Sequence, residues 1–224
     1  MSGASGEPFA IIDGQTLTAW RTAAASALAA TFLARDDASH LVMVGAGALA
    51  PHLIRAHASV RPITRVTLWN RNRGKAEELA VRLASDRLDI SVTDDLATAA
   101  PSADIISCAT LARDPLVLGE WLKPGAHVDL VGGFAPTMRE ADDEAVRRAS
   151  VYVDTRAGAC KEAGDIVVPM QRGIIKDRDI RGDLFDLCRK QASGRHSRTE
   201  ITLFKSVGSP IEDLAAAMLL WKTI

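Results

Sequence analysis

Short apolar runs punctuate the chain at Leu41 to Val44, within Arg65–Trp69, and at Ala103–Cys108, Ala126–Val131 and Val151–Asp154. Each is too short for a buried helix and too uniformly apolar for a strand with one wet face, so each reads as a strand covered on both sides. A weaker segment, Asp89–Val92, adds a further strand. Helical spacing fills the intervals: about Leu49 to Ser59, the charged stretch Gly74–Ser85, a small helix near Leu96, and Glu140–Ala149. Strand and helix alternate, which predicts an α/β, Rossmann-type doubly wound parallel sheet.

The two ends of the chain depart from that alternation. Leu17–Ala34 is an alanine-rich helix that Thr16 or Thr18 can cap, with Trp20, Ala24, Leu28 and Leu33 near helical spacing. Beyond Arg156 the pattern loosens. Asp183–Gln191 looks helical and Ile201–Phe204 looks like a strand. Ser209-Pro210-Ile211-Glu212 has the form of a capping box with proline at the first helical position, and opens a terminal helix through Leu214, Met218 and Trp221. The expected organisation is a nucleotide-binding domain over residues 37–195 and an incomplete substrate and dimerisation domain formed by residues 1–36 and 196–224.

Chemistry enters at Gly45-Ala46-Gly47-Ala48-Leu49-Ala50, which follows a predicted strand and opens a predicted helix. This is the G-x-G-x-x-G/A turn of dinucleotide-binding folds. The first glycine permits the tight turn, the second lets the backbone approach a pyrophosphate, and the last small residue lets helix pack on strand. The phosphates would rest on the helix N-terminus. At the tip of the second strand, where a carboxylate would bind an unmodified ribose, the chain has Asn70, Arg71, Asn72 and Arg73. Nothing acidic repels a 2′-phosphate there, and two guanidinium groups suit one, so NADP(H) is expected over NAD(H). A solvated basic turn is the plainer reading of the same residues.

Composition narrows the field. The 224 residues carry a formal net charge of −1 and 47% hydrophobic residues. No excess of positive charge points to nucleic acid or an anionic membrane. Cys108, Cys160 and Cys188 form neither a metal-binding spacing nor an even disulfide framework, and read as buried reduced thiols of a cytoplasmic protein. Met1 to Pro8 lacks the basic and apolar regions of a signal peptide, and no apolar run is long enough to span a bilayer. His52 and His57 read as surface or packing residues, Asp129 as a structural group needing a buried partner, and Lys161, Glu162 and Asp165 as residues near the expected cleft.

Several motifs together resemble one family. Asp13-Gly14 with Leu17-Thr18-Ala19-Trp20-Arg21-Thr22-Ala23-Ala24, then Val44-Gly45-Ala46-Gly47, Trp69-Asn70-Arg71, Cys108-Ala109-Thr110, Lys161-Glu162-Ala163-Gly164-Asp165 and Ile201 to Gly208 follow, in order, the signature of the ornithine cyclodeaminase/mu-crystallin family. After the predicted fifth strand the cyclodeaminase branch has GGD-x-P, whose aspartate works on the amino acid. This chain reads Gly132-Gly133-Phe134-Ala135-Pro136-Thr137-Met138-Arg139-Glu140, which resembles the Δ1-pyrroline-2-carboxylate reductase branch instead. The resemblance implies NADPH-dependent reduction of cyclic ketimines to proline-type amino acids by a homodimer. Ornithine cyclodeaminase, amino-acid dehydrogenase and non-catalytic binding protein are the alternatives. It implies Arg21 as ligand of the substrate carboxylate and Phe134 as an apolar pocket wall. Cofactor contacts are expected from Gly45, Ala46, Gly47, Ala48, Leu49, Asn70, Arg71, Thr110 and Gly208, with no metal. Arg21 paired with a nearby acid, Phe134 in the core and Thr110 as a turn cap are the structural alternatives. Family members carry a long segment before the Asp13-Gly14 signature that supplies most of a substrate sheet and a substrate-binding lysine. The chain therefore reads as a truncated form, with weak catalysis and exposed apolar helices.

Overall fold

In the computed structural model, which describes residues 3–84 and 87–223, the strands are β1 (His40–Val44), β2 (Arg65–Trp69), β3 (Asp89–Thr93), β4 (Ile105–Cys108), β5 (His127–Leu130), β6 (Ser150–Val153), β7 (Ile180–Asp183) and β8 (Thr202–Lys205). Among the described residues they form one eight-stranded sheet in the order β3-β2-β1-β4-β5-β8-β6-β7. Each neighbouring pair runs parallel. The end of the predicted helix at Ser85 lies outside the described residues, as do Met1, Ser2 and Ile224 of the predicted end domain.

Alternate strand residues feed two cores, as a period of two requires. Leu41, Met43, Val66, Leu68 and Ile105 meet one face, covered by α1 (Gly14–Leu33), α2 (Ala50–Val60) and α3 (Arg73–Leu83). Val42, Val44, Ile106, Val128 and Leu203 meet the other. That face is covered by α4 (Leu96–Ala99), α5 (Asp143–Arg148), α6 (Arg156–Glu162) and α7 (Gly164–Gln171). On the first face, α8 (Leu184–Cys188) joins α1 through Leu187, Leu33, Tyr152 and Phe204. Burial on both faces is why these strands are so uniformly apolar.

Several expectations are corrected. The strand near residue 201 does not belong to a separate layer: β8 pairs β5 on one side and β6 on the other. Asp13, rather than Thr16 or Thr18, caps α1, its carboxylate accepting the Thr16 N–H at 2.7 Å. Thr22, Ala23, Ala25, Ser26, Ala27, Ala29, Ala30 and Leu33 form the buried face of α1, while Ala24 is exposed and Trp20 is 61% exposed. Apolar residues fall on every side of this helix and polar Thr22 and Ser26 lie within its buried face, so spacing alone does not reveal which stripe packs. At α9 (Pro210–Trp221), Ser209 makes no side-chain cap bond and Glu212 bonds Arg21 instead, so no capping box forms. The helix after β5 begins at Asp143, capped by Asp142, which leaves Glu140 in the preceding loop. Of the three thiols only Cys108 is buried; Cys160 is half-buried and Cys188 exposed.

Candidate functional site

From β1 the sheet extends one way to β2 and β3 and the other way to β4 and beyond, so a crevice opens at the carboxyl edge where the order reverses. There a cavity of about 450 Å³ is lined by Gly45, Ala46 and Gly47 of the first turn, Asn70, Arg71 and Lys75 beyond β2, and Thr110 beyond β4. Gly45 has φ +107°, and a Cβ on it would stand 2.6 Å from the Ala109 carbonyl oxygen. The fold itself therefore demands glycine at this position. Gly47 is different. Its φ lies outside the left-handed range, and a Cβ there meets nothing within 4 Å. No need within the described protein accounts for this glycine, whereas a phosphate drawn against the backbone would. Ala48 and Leu49 complete the turn into α2, whose first turn carries no side-chain cap bond, and Ala50 is buried against the sheet. Uncapped N–H groups at a helix start are natural donors to an anion.

Beyond β2 the side chain of Asn70 is used internally. Its Oδ1 accepts the Ala46 N–H at 3.2 Å and its Nδ2 donates to the Asn72 carbonyl at 2.8 Å, stitching the first turn to the β2 tip. Arg71 is exposed along the cleft. Arg73 does not join it: its Nε donates to Glu77 at 2.7 Å and its Nη1 to Asp94. The second cation of the cleft is Lys75, in the first turn of α3, which the apolar and basic pattern after β2 did not single out.

On the far side, Thr110 combines two roles. It lines the cleft, and its hydroxyl donates to Glu140 Oε1 at 2.8 Å while accepting the Ala112 N–H at 3.3 Å, as a turn cap does. Glu140 is fully buried beside Asp165, whose Oδ2 lies 3.6 Å from the buried Lys205 Nζ. Burial pushes the Glu140 pKa up, opposed by the Lys205 charge. Lys161 and Glu162 are exposed, so of the three residues expected near the cleft only Asp165 reaches this cluster. Lys205 had a visible signal, being the one charge in the apolar run Ile201–Val207. Phe134 is 52% exposed on the loop after β5, which excludes the core-packing alternative.

Arg21 and Gly208 meet elsewhere on this edge, outside the lining of the cavity just described. Arg21 donates from Nε to Asp213 at 2.9 Å and from Nη1 to Glu212 at 3.0 Å, so α9 holds two of its three nitrogens. Its guanidinium packs against Gly208, whose N–H donates to the buried Asp154 at 2.7 Å. Away from the cleft, the fully buried His57 bonds Asp129 Oδ2 at 3.1 Å and Ser107 donates to the same oxygen at 2.7 Å, so one oxygen of the carboxylate has the partners burial requires while the buried Oδ1 has none among the described residues. His52 lies edge-on to Trp20. Among the described residues no cluster of histidine, cysteine and carboxylate side chains could hold a metal ion, and no helix is long and apolar enough to cross a membrane.

Comparison with known proteins bears on the family and the fold. The sequence profile of the ornithine cyclodeaminase/mu-crystallin family matches residues 1–224. Protein SAR DEFICIENT 4 of Arabidopsis thaliana is 47% identical over 227 residues, covering 99% of this chain and 70% of that protein. The Delta(1)-pyrroline-2-carboxylate reductase of Paracoccus denitrificans is 44% identical over 209 residues, covering 93% of this chain and 66% of the enzyme. Among solved structures, Thermococcus litoralis Delta(1)-pyrroline-2-carboxylate reductase in complex with NADH and L-proline superposes with a TM-score of 0.95 at 35% identity, covering 98% of this chain and 68% of that one. The chain spans about two thirds of the length of the curated relatives it matches.

Proposed function

The chain belongs to the ornithine cyclodeaminase/mu-crystallin family, and on that premise we propose that it serves the NAD(P)H-dependent reduction of cyclic ketimines such as Δ1-pyrroline-2-carboxylate, giving a proline-type product. The observation that carries the reading is Gly47, a glycine whose missing side chain leaves open space at the crevice of a doubly wound sheet. Gly45 to Leu49 would hold the pyrophosphate. The nicotinamide, when bound, supplies hydride to an already electrophilic protonated imine. What remains for the protein is to bind, orient and exclude water.

The adenosine end falls to the β2 tip. Arg71 and Lys75 line it, and Asn70 stands where a carboxylate would select an unmodified ribose, which favours NADP(H) over NAD(H). Arg21 anchors the substrate carboxylate. Glu212 and Asp213 fix the guanidinium through Nη1 and Nε and leave Nη2 to donate to a carboxylate oxygen. Phe134, half out of the protein after β5, is an apolar wall to the ring methylenes. A phenyl group relays no proton, which sets cyclodeamination of ornithine behind imine reduction. The apolar surface of α1 and α9 fits assembly as a homodimer.

The decisive assay follows loss of NADPH absorbance with Δ1-pyrroline-2-carboxylate and Δ1-piperideine-2-carboxylate. Imine-dependent oxidation of the cofactor supports the proposal. Release of ammonia from ornithine with no imine-dependent oxidation would replace it with cyclodeamination.

A further inference from the structure

Beneath the cleft lies a buried carboxylate to which the reduction just described assigns no task. Glu140 Oε1 accepts the Thr110 N–H at 2.7 Å and the Thr110 hydroxyl at 2.8 Å. Its Oε2 accepts the N–H groups of Gly132 at 2.7 Å and Gly133 at 3.3 Å. These donors come from two separate loops, one leaving β4 and one leaving β5. The backbone of Glu140 is fixed as firmly. Its N–H donates to Asp165 Oδ1 at 2.8 Å, and its carbonyl accepts from Leu116 and Val117 at 3.0 and 2.9 Å.

We propose that Glu140 is a positioning residue for the nicotinamide half of the cofactor. Its carboxylate staples the β4 loop to the β5 loop and so sets the floor on which that half rests. The inference builds on the reading of the cleft as a NAD(P)H site. In a doubly wound sheet the dinucleotide crosses the switch point with its adenosine end over β2, where Arg71 and Lys75 lie. The other half then reaches the β4 and β5 loops, which Glu140 joins. Three of its four donors are backbone N–H groups and have no second role to offer. A glutamine in its place must set an NH2 group against one of the two donor pairs, which frees one loop from the other without removing bulk. The Gly45–Gly47 turn and the β2 tip accept no bond from Glu140 and keep their own, Ala46 N–H to Asn70 and Gly45 N–H to Trp69.

The test compares two probes on the whole chain: NADPH, and adenosine 2′,5′-bisphosphate, which has the adenosine end and no nicotinamide. Binding is read by calorimetry or fluorescence, with Tm measured alongside. Glu140→Gln is expected to weaken NADPH about tenfold, the order expected for one charge-assisted hydrogen bond, and to leave the bisphosphate within about twofold. Thr110→Val, which deletes one donor of the four, should show the same split to a smaller degree, and Thr110→Ser should restore wild-type binding. Parallel loss of both probes, or unchanged binding of NADPH, overturns the assignment. If Glu140→Gln does not fold, the Thr110 pair decides by the same split. Wild-type protein that binds neither probe would overturn the cofactor reading itself, and this one with it.

Discussion

Alanine at Gly47 and alanine at Gly45 should have opposite consequences, although the two glycines stand two residues apart in one motif. At Gly45 the backbone sits at φ +107° and a new Cβ would lie 2.6 Å from the Ala109 carbonyl oxygen. The left-handed conformation alone costs an L-residue about 1–2 kcal/mol. Relieving the contact brings the expected loss to about 2–3 kcal/mol, or roughly 5–10 °C in Tm for a domain of this size. At Gly47 the Cβ meets nothing within 4 Å. Replacing glycine at a compatible position stiffens the unfolded chain, so Gly47→Ala should hold or raise stability by up to about 1 kcal/mol. Its cofactor affinity should nevertheless fall tenfold or more, about 1.4 kcal/mol of binding energy, and Gly47→Val should bind neither NADPH nor NADH. Thermal denaturation without ligand and titration of nicotinamide fluorescence supply the two readouts. The reasoning is refuted if Gly47→Ala melts as low as Gly45→Ala, or if it binds NADPH like the wild type.

Other perturbations test other parts of the molecule. Arg71→Ala and Lys75→Ala should each weaken NADPH more than NADH, whereas Arg73→Ala, whose guanidinium is held by Glu77 and Asp94, should alter neither; equal losses for both cofactors would remove the 2′-phosphate assignment. Arg21→Lys should raise KM or lower kcat/KM for cyclic imino acids at unchanged cofactor affinity, and retained kcat/KM would make the residue structural. Burial holds the His127 pKa at about 3, below its ordinary 6.5. The unfolded chain therefore takes up a proton that the folded one refuses, so stability present above pH 6.5 is lost as the pH falls toward 3, by about 1.4 kcal/mol per pH unit. Urea titrations at about pH 6.5, 5.5 and 4.5 should show this slope, and His127→Gln should flatten it. Trp20, Leu219 and Trp221 are 61%, 67% and 54% exposed on α1 and α9, so light scattering should reveal association that strengthens with concentration; a stable monomer at high concentration would contradict it.

What the sequence made legible follows physical lines. Strands buried on both faces announce themselves, and β1, β2 and the glycine turn lie where the apolar runs and the motif place them. Helices α6 and α7 and strand β7 escaped because Gly158, Gly164 and Pro169 interrupt their periodicity and Arg181 and Gly182 dilute the strand. Arg71 in the cleft was readable from its position after β2. The substitution of Lys75 for Arg73 was not, since it depends on Asp94, beyond β3, reaching Arg73 alongside its helical neighbour Glu77. Glu140 looked like the start of a charged helix. Only the close approach of the β4 and β5 loops turns it into a buried acceptor, and local spacing carries no trace of a contact made across the sheet.

The place of β8 has a consequence for how the molecule comes into being. Seven strands precede it in the chain, yet among the described residues they pair only within two blocks, β3-β2-β1-β4-β5 and β6-β7, and β8 is the strand that joins them into one sheet. Without residues 202–205 the facing edges of β5 and β6 would present unpaired backbone groups flanked by apolar side chains. Such edges are templates for pairing between molecules. Segment 202–205 thus acts as a keystone. A nascent or proteolysed chain lacking it would be prone to intermolecular β-pairing, and its insertion closes the two inner edges of the sheet.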